Sequence, residues 1–112
     1  MPTTQAQKIE VPEWMKSDVY WRGTIHVLWN MANREPKFRS LLQRFVNIDE
    51  SSIDFFGMKR AISSWSHSEK IMVKLAAHLF NKIHKFNLSD LDYLDSQNMK
   101  VALKAIELRF GK

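Results

Sequence analysis

The chain has no cysteine, only three glycines and three prolines, and no long apolar run. Each shortage removes a class of explanation. Without thiols there are no disulfides, thiolate metal sites or cysteine nucleophiles, and a reducing, cytoplasmic setting is the expectation. Glycine at positions 23, 57 and 111 alone cannot build a phosphate loop of the G-x-x-x-x-G-K type or a dinucleotide fingerprint. Nothing approaches the roughly 18 apolar residues that a membrane span needs, and the polar start through Lys8 lacks the apolar segment of a secretory leader. No membrane contact is expected. Strand alternation and Asn-Gly hairpin signals are missing as well.

What remains is enough for one core. The 112 residues are 45% hydrophobic and 12% aromatic, which suits a single folded domain. Residues 1–13, with Pro2 and Pro12 and no periodicity, are predicted to form a flexible N-terminal arm, and residues 14–112 the domain. The fold class expected is all-α, a single compact domain of five or six short helices.

The periodicity that supports this is plain in four places. Tyr20, Thr24, Val27, Leu28 and Met31 line one side of a predicted helix over about 18–33, with Arg22, His26, Asn30 and Asn33 opposite. Gly23 lies inside it at a cost of about 1 kcal/mol relative to alanine, which a close helix approach would explain. Pro36 suits a first turn, after which Phe38, Leu41, Leu42 and Phe45 recur at i, i+3, i+4, i+7. A shorter helix is read at about 52–62 from Phe55, Met58 and Ile62. Ile71, Met72, Leu75, Ala76, Leu79, Phe80 and Ile83 cover the wide face of a central helix. In the last helix Met99, Ala102, Leu103, Ile106 and Phe110 form the main stripe, Val101 and Leu108 lie on the far side, and Gly111 offers a left-handed stop.

The stretch Ser64-Trp65-Ser66-His67-Ser68-Glu69-Lys70 combines hydroxyls, an imidazole and a carboxylate, the ingredients of acyl-transfer catalysis. Consecutive side chains on a helix point about 100° apart and cannot converge as a nucleophile, base and orienting acid must. Ser66 and Glu69 instead have the S-x-x-E spacing of a capping box, and Ser89 and Asp92 repeat it before a short helical turn, with Asp95 or Ser96 capping the last helix. No catalytic residue is assigned. His67, His78 and His84 lack the i, i+3 or i, i+4 spacing of a helical metal site, His26 stands alone, and Asp90, Asp92 and Asp95 lack the glycine and closing glutamate of a calcium loop. No metal or cofactor is expected. An enzyme assembled from dispersed histidines and carboxylates ranks last among the readings.

Charge says more about partners. Seventeen Lys+Arg against twelve Asp+Glu leave a net +5, with nine basic and four acidic residues over 36–85 and three aspartates alone charged over 86–98. Lys70, Lys74, His78, Asn81 and Lys85 recur at near i+4 intervals opposite the apolar stripe, a candidate basic strip. Such a strip fits a merely solvated helix face, an acidic protein surface whose association it would steer, or phosphates tracked along DNA or RNA. Four tryptophans fit core and helix-end packing, or a hot spot if exposed. Val101 and Leu108 raise the prospect of a homodimer seam.

Over about residues 65–111, Trp65-Ser66-His67-Ser68-Glu69-Lys70, Leu79-Phe80-Asn81, the acidic Leu-containing turn and Ala105-Ile106-Glu107-Leu108-Arg109-Phe110-Gly111 give the chain a frame. In it the chain resembles an uncharacterised family of short helical proteins from Gram-positive bacteria, their prophages and plasmids. The resemblance implies a mobile-element accessory factor, a regulator or an anti-defence inhibitor, and carries no assigned activity. The sequence thus points to a small non-enzymatic helical protein that engages a protein partner with an acidic surface, with nucleic acid as the alternative.

Overall fold

A computed structural model describes residues 11–111. Residues 1–10 of the expected arm lie outside the described residues, and Val11 packs against Met15, Trp21 and Ile25. Helix α1 (Glu13–Ser17) begins at a residue assigned to the arm. It is followed by α2 (Val19–Arg34), α3 (Pro36–Phe45), strands β1 (Val46–Asn47) and β2 (Ser52–Ile53), α4 (Phe55–Ala61), α5 (His67–Phe80), a 3₁₀ helix (Leu88–Tyr93) and α6 (Ser96–Phe110). The described residues therefore hold six α-helices and one 3₁₀ helix, more than the five or six expected, because α1 and the 3₁₀ segment are too short to leave a period in the sequence.

Caps decide most of the boundaries. The Asp18 carboxylate accepts the amides of Tyr20 and Trp21 and starts α2. Pro36 occupies the first turn of α3, where its missing N–H leaves nothing unsatisfied. The Asp54 carboxylate accepts the Gly57 amide at the start of α4, and Asp95 accepts that of Asn98 at the start of α6. Between α3 and α4 the chain forms a two-residue antiparallel ladder, Val46 with Ile53 and Asn47 with Ser52. The sequence gives no hint of it, because a ladder this short has no alternation to display. Its tip residue Ser51 holds φ 55°.

Three long-range contacts set the helix directions. Thr24 Oγ1 donates to the Ala76 carbonyl at 2.9 Å, Trp21 meets Phe80 edge-on at 4.9 Å between ring centroids, and Arg34 Nη2 donates to Asn98 Oδ1 at 2.7 Å. Helix α2 therefore runs antiparallel to both α5 and α6, whose C-terminal ends lie side by side next to its start. Gly23 makes the close approach possible: a Cβ there would stand 2.9 Å from the Ala105 carbonyl oxygen and 3.2 Å from Arg109 Cβ. Around this crossing Val27, Leu28, Met31, Phe38, Leu42, Phe55, Met58, Met72 and Leu75 form one buried core.

Several expectations fail where local pattern and tertiary packing disagree. Tyr20, placed in the α2 stripe, is exposed. Helix α5 stops at Phe80, with Asn81 extended at φ −154°, ψ 122°, so Ile83 lies beyond it, exposed. In α6 the expected stripe is buried only in part: Ala102 lies in the core, joined by Val101 from the far side, while Leu103 and Phe110 are exposed, since α6 turns its small residues Ala102 and Ala105 to the tight α2 crossing. Of the two residues named for a dimer seam, Val101 lies in the core and Leu108 is half-buried. Gly111 is extended at φ −70°, ψ 153° rather than left-handed. The 3₁₀ helix is capped by Asn87, whose side chain accepts the Ser89 amide, and not by a Ser89–Asp92 box.

The substitution Gly23→Ala should lower stability by up to about 2 kcal/mol, because overpacking against a carbonyl costs about 1–3 kcal/mol and is only partly offset by the helix-propensity gain of about 1 kcal/mol. The urea midpoint measures it; a higher midpoint would show that α2 and α6 are not held this close.

Candidate functional site

The stretch that looked most like chemistry is structural. Ser66 Oγ accepts the Glu69 amide at 3.3 Å and Glu69 Oε1 accepts the Ser66 amide at 3.1 Å, the reciprocal bonds of a capping box. Lys37 Nζ lies 2.7 Å from Glu69 Oε2 and 4.6 Å from the centroid of Trp65, which it covers. Burial by itself would push the Glu69 carboxyl up, but Lys37 and the two Ser66 bonds together hold it below its ordinary value. His67 meets the Tyr93 ring edge-on at 4.5 Å and faces neither serine.

The opposite end of α5 is different. Beside the adjacent C-terminal ends of α5 and α6 and the start of α2 lies an open cleft of about 530 Å³. Its centre is Arg109. The guanidinium stands 4.4 Å from the Tyr20 ring centroid and 4.6 Å from that of Phe110, within the range where a cation is attracted to an aromatic face. Arg109 Nε donates to the Leu79 carbonyl at 3.1 Å, and on the neighbouring helix Arg22 Nε donates to the Leu108 carbonyl at 2.5 Å. Two arginines thus satisfy late carbonyls of two helices whose negative dipole ends lie together.

Tyr20 is 52% and Phe110 55% exposed, so both rings remain open to a ligand. His78, Asn81 and Lys82 complete the rim. The His84 carbonyl can only accept, so His78 Nδ1 carries the proton of their 2.8 Å bond; this fixes the loop after α5 against the cleft. Among the described residues the ion pairs are Lys16–Glu13, Lys37–Glu69 and Lys104–Glu107. Arg109, Lys82, Lys74 and Lys85 have no carboxylate partner there.

The five residues of the predicted strip do not stay together. His78 and Asn81 line the cleft, while Lys74 is exposed higher on α5. Lys70 is about 16 Å back along the helix from Asn81 and donates to the Ser63 carbonyl at 3.2 Å. Lys85 is exposed in the loop beyond the helix. Asn81 breaks the strip: its carbonyl accepts the His84 amide and its side chain the Ile83 amide, turning the chain away. Sequence reading overlooked Tyr20, Lys82, Arg109 and Phe110 as a group. Their one shared signal was Gly23, which brings the two helix ends close enough for Tyr20 and Arg109 to meet.

A second basic cluster lies next to this loop. The Lys59 ammonium can only donate, so it bonds His84 Nδ1 at 3.1 Å with the imidazole neutral there. The ring also lies 5.4 Å from Phe55 and 4.8 Å from Phe56 between centroids. Burial first, and the Lys59 charge second, hold the His84 imidazole below its ordinary value of 6.5. His26 is lowered in the same sense by burial and by Lys104. Among the described residues no group of three or more His, Asp or Glu is arranged to hold a metal ion, and no helix is long and apolar enough to cross a membrane.

No protein-family model, curated protein or solved structure matches the chain.

Two outcomes follow from the local bonds. Ser66→Ala should cost about 1 kcal/mol, a fall in melting temperature of about 4–8 °C for a domain of this size, while leaving the cleft intact. Because the folded imidazoles bind protons less readily than the unfolded ones, stability is full above about pH 6.5 and declines as pH drops below it until the folded groups titrate. Urea titrations at pH 7.5, 6 and 5 should show that decline, and His84→Gln, which can still accept from Lys59, should flatten it; an unchanged slope would remove His84 from the account.

Proposed function

We propose that this is a non-enzymatic binding protein that engages the acidic surface of a protein partner through the cleft at the C-terminal ends of α5 and α6. The observation that carries this reading is Arg109, set over two half-exposed rings and without a carboxylate partner among the described residues. Arginine and aromatic side chains are the residue types that dominate binding energy at protein interfaces, and a guanidinium already oriented by Nε and two rings loses little freedom on pairing with a carboxylate. Lys82 on the rim adds a cation that steers an acidic approach. The engagement of Ser66 and Glu69 with backbone amides supports a non-catalytic role for the motif that most resembled chemistry. A mobile-element accessory factor, whether regulator or anti-defence inhibitor, is the setting that the resemblance implies for such a protein.

Nucleic acid is the second reading. Exposed rings beside unpaired cations also suit stacking of unpaired bases with phosphates alongside, and Lys74 and Lys85 would extend that surface.

Fluorescence anisotropy with a labelled peptide of aspartate, glutamate and leucine, and with labelled oligothymidylate, separates the two. The peptide should bind, and Phe110→Ala should weaken it by about 2 kcal/mol, roughly thirtyfold, as for a hot-spot truncation. Tighter binding of oligothymidylate would transfer the cleft to nucleic acid, and binding of neither would remove the proposal.

A further inference from the structure

Beside the cationic cleft, and sharing His78 and Phe110 with it, is an apolar groove of about 150 Å³ between α5 and α6, with Leu75 and Leu79 among its walls. From α6, Ile106 and Phe110 line it, and their stripe continues along that helix beyond the groove. On α6, Met99, Leu103, Ile106 and Phe110 recur at four- and three-residue intervals, the spacing of a helix seam made to pack against another helix. Leu103 is 53%, Phe110 55% and, across the groove, Leu88 68% exposed.

The charges along this face are unevenly placed, with Lys100 exposed near the start of α6. At the C-terminal end of α5 and α6 stand Arg109 and Lys82. From Leu88, which with His78 lines the groove, the 3₁₀ helix leads back along α5 to Tyr93, whose ring touches His67 at the other end of that helix. This path, about 16 Å for the eleven residues from His67 to His78, places Asp92 and Asp95 toward the end opposite Arg109, with Asp90 between. Lys104 on the outer edge of α6 is engaged with Glu107.

We infer that a second copy of this chain covers the groove, so that the acidic turn of each copy lies against the cationic cleft of the other. A two-fold interface apposes the same patch to itself in reverse. A patch with a basic end, an apolar middle and an acidic end is complementary to its own reversed image. The paired chains set Leu88 and Phe110 of each copy against the opposite end of the other's apolar strip, with Leu103 nearer the axis, and bring Arg109 and Lys82 to the partner copy's aspartates. This rests on reading the cleft as a receptor for carboxylates, and it adds regulation of that site: in the dimer each cleft is occupied by its own kind, and an acidic partner protein competes with self-association.

Sedimentation equilibrium of the full chain tests this, using the exposed changes Leu103→Asp, Lys82→Glu and Asp92→Lys, and the pair Lys82→Glu with Asp92→Lys in one chain. The wild type should be in monomer–dimer equilibrium. Each single change should raise the dissociation constant at least about tenfold, equivalent to 1.4 kcal/mol, and the double reversal should restore most of the loss. Circular dichroism and melting curves confirm that each variant is folded. A wild type that stays monomeric at every concentration, a dimer indifferent to the reversals, or a double variant no better than the singles would each overturn the dimer. The acidic peptide, run on the same variants, keeps the two ideas apart. Loss of peptide binding in Lys82→Glu with a monomeric wild type sinks self-association alone, and a dimer whose cleft does not take the peptide sinks the cleft's role for other partners.

Discussion

Much of this structure depends on the distance between α2 and α6 where Gly23 faces the Ala105 carbonyl. A single methyl group at position 23 would occupy the space the backbones now share. Because they approach so closely, Arg22 reaches the Leu108 carbonyl and Arg109 both reaches the Leu79 carbonyl and stacks on Tyr20. The same crossing forces α5 and α6 to lie parallel, with two negative helix ends side by side. Such an arrangement is unfavourable unless cations stand next to it, and arginines supply them. One steric condition in α2 thus determines where the positive charge of the chain is concentrated.

That concentration separates structural charge from available charge. Lys37 is committed to Glu69 and to the Trp65 ring, Arg34 to Asn98, Lys70 to the Ser63 carbonyl and Arg22 to Leu108. These cations tie elements together. Arg109 does both: Nε holds a helix end, while the guanidinium lies over exposed rings. The acidic turn over residues 88–95 runs from beside His78 toward His67 at the far end of the same face. The net charge of +5 therefore understates the local contrast, which is a basic end and an acidic end about one helix length apart. A surface of this kind selects partners by sign and by orientation, and an apolar strip between the two ends adds burial to that selection.

The loop between α5 and the 3₁₀ helix joins both features. Asn81 ends the helix, His84 is held by Lys59, Phe55 and Phe56, and His78 anchors the loop carbonyl. Burial of His84 first, and the Lys59 charge beside it second, disfavour the imidazolium, which is why its imidazole resists a proton. The loop is ordered by these polar bonds together with the packing of Phe86 on the core, and it walls the cleft through Asn81 and Lys82.

The helices themselves were legible from the sequence, because caps and 3.6-residue periodicity are properties of neighbouring residues. The α2 and α3 boundaries, the capping box at Ser66 and Glu69, the core roles of Phe38, Leu42, Met58 and Leu75, and the close approach at Gly23 all follow from local chemistry. The β1–β2 hairpin was too short to leave a pattern, and the 3₁₀ helix took its cap from Asn87 because Asx turns and capping boxes draw on the same residue types. Which face of α6 is buried could not be read. Leu103 and Phe110 look more apolar than Ala102 and Ala105, yet the crossing with α2 accepts only small side chains, so the larger ones turn outward. The cleft likewise exists only in three dimensions: residues 20, 78, 81, 82, 109 and 110 have no spacing in common, and it is the antiparallel docking of α2 on α5 and α6 that brings them together. Sequence by itself determined where helices start and which positions are apolar enough to pack; tertiary structure decided which of those positions remain on the surface, since that depends on how near two backbones can come.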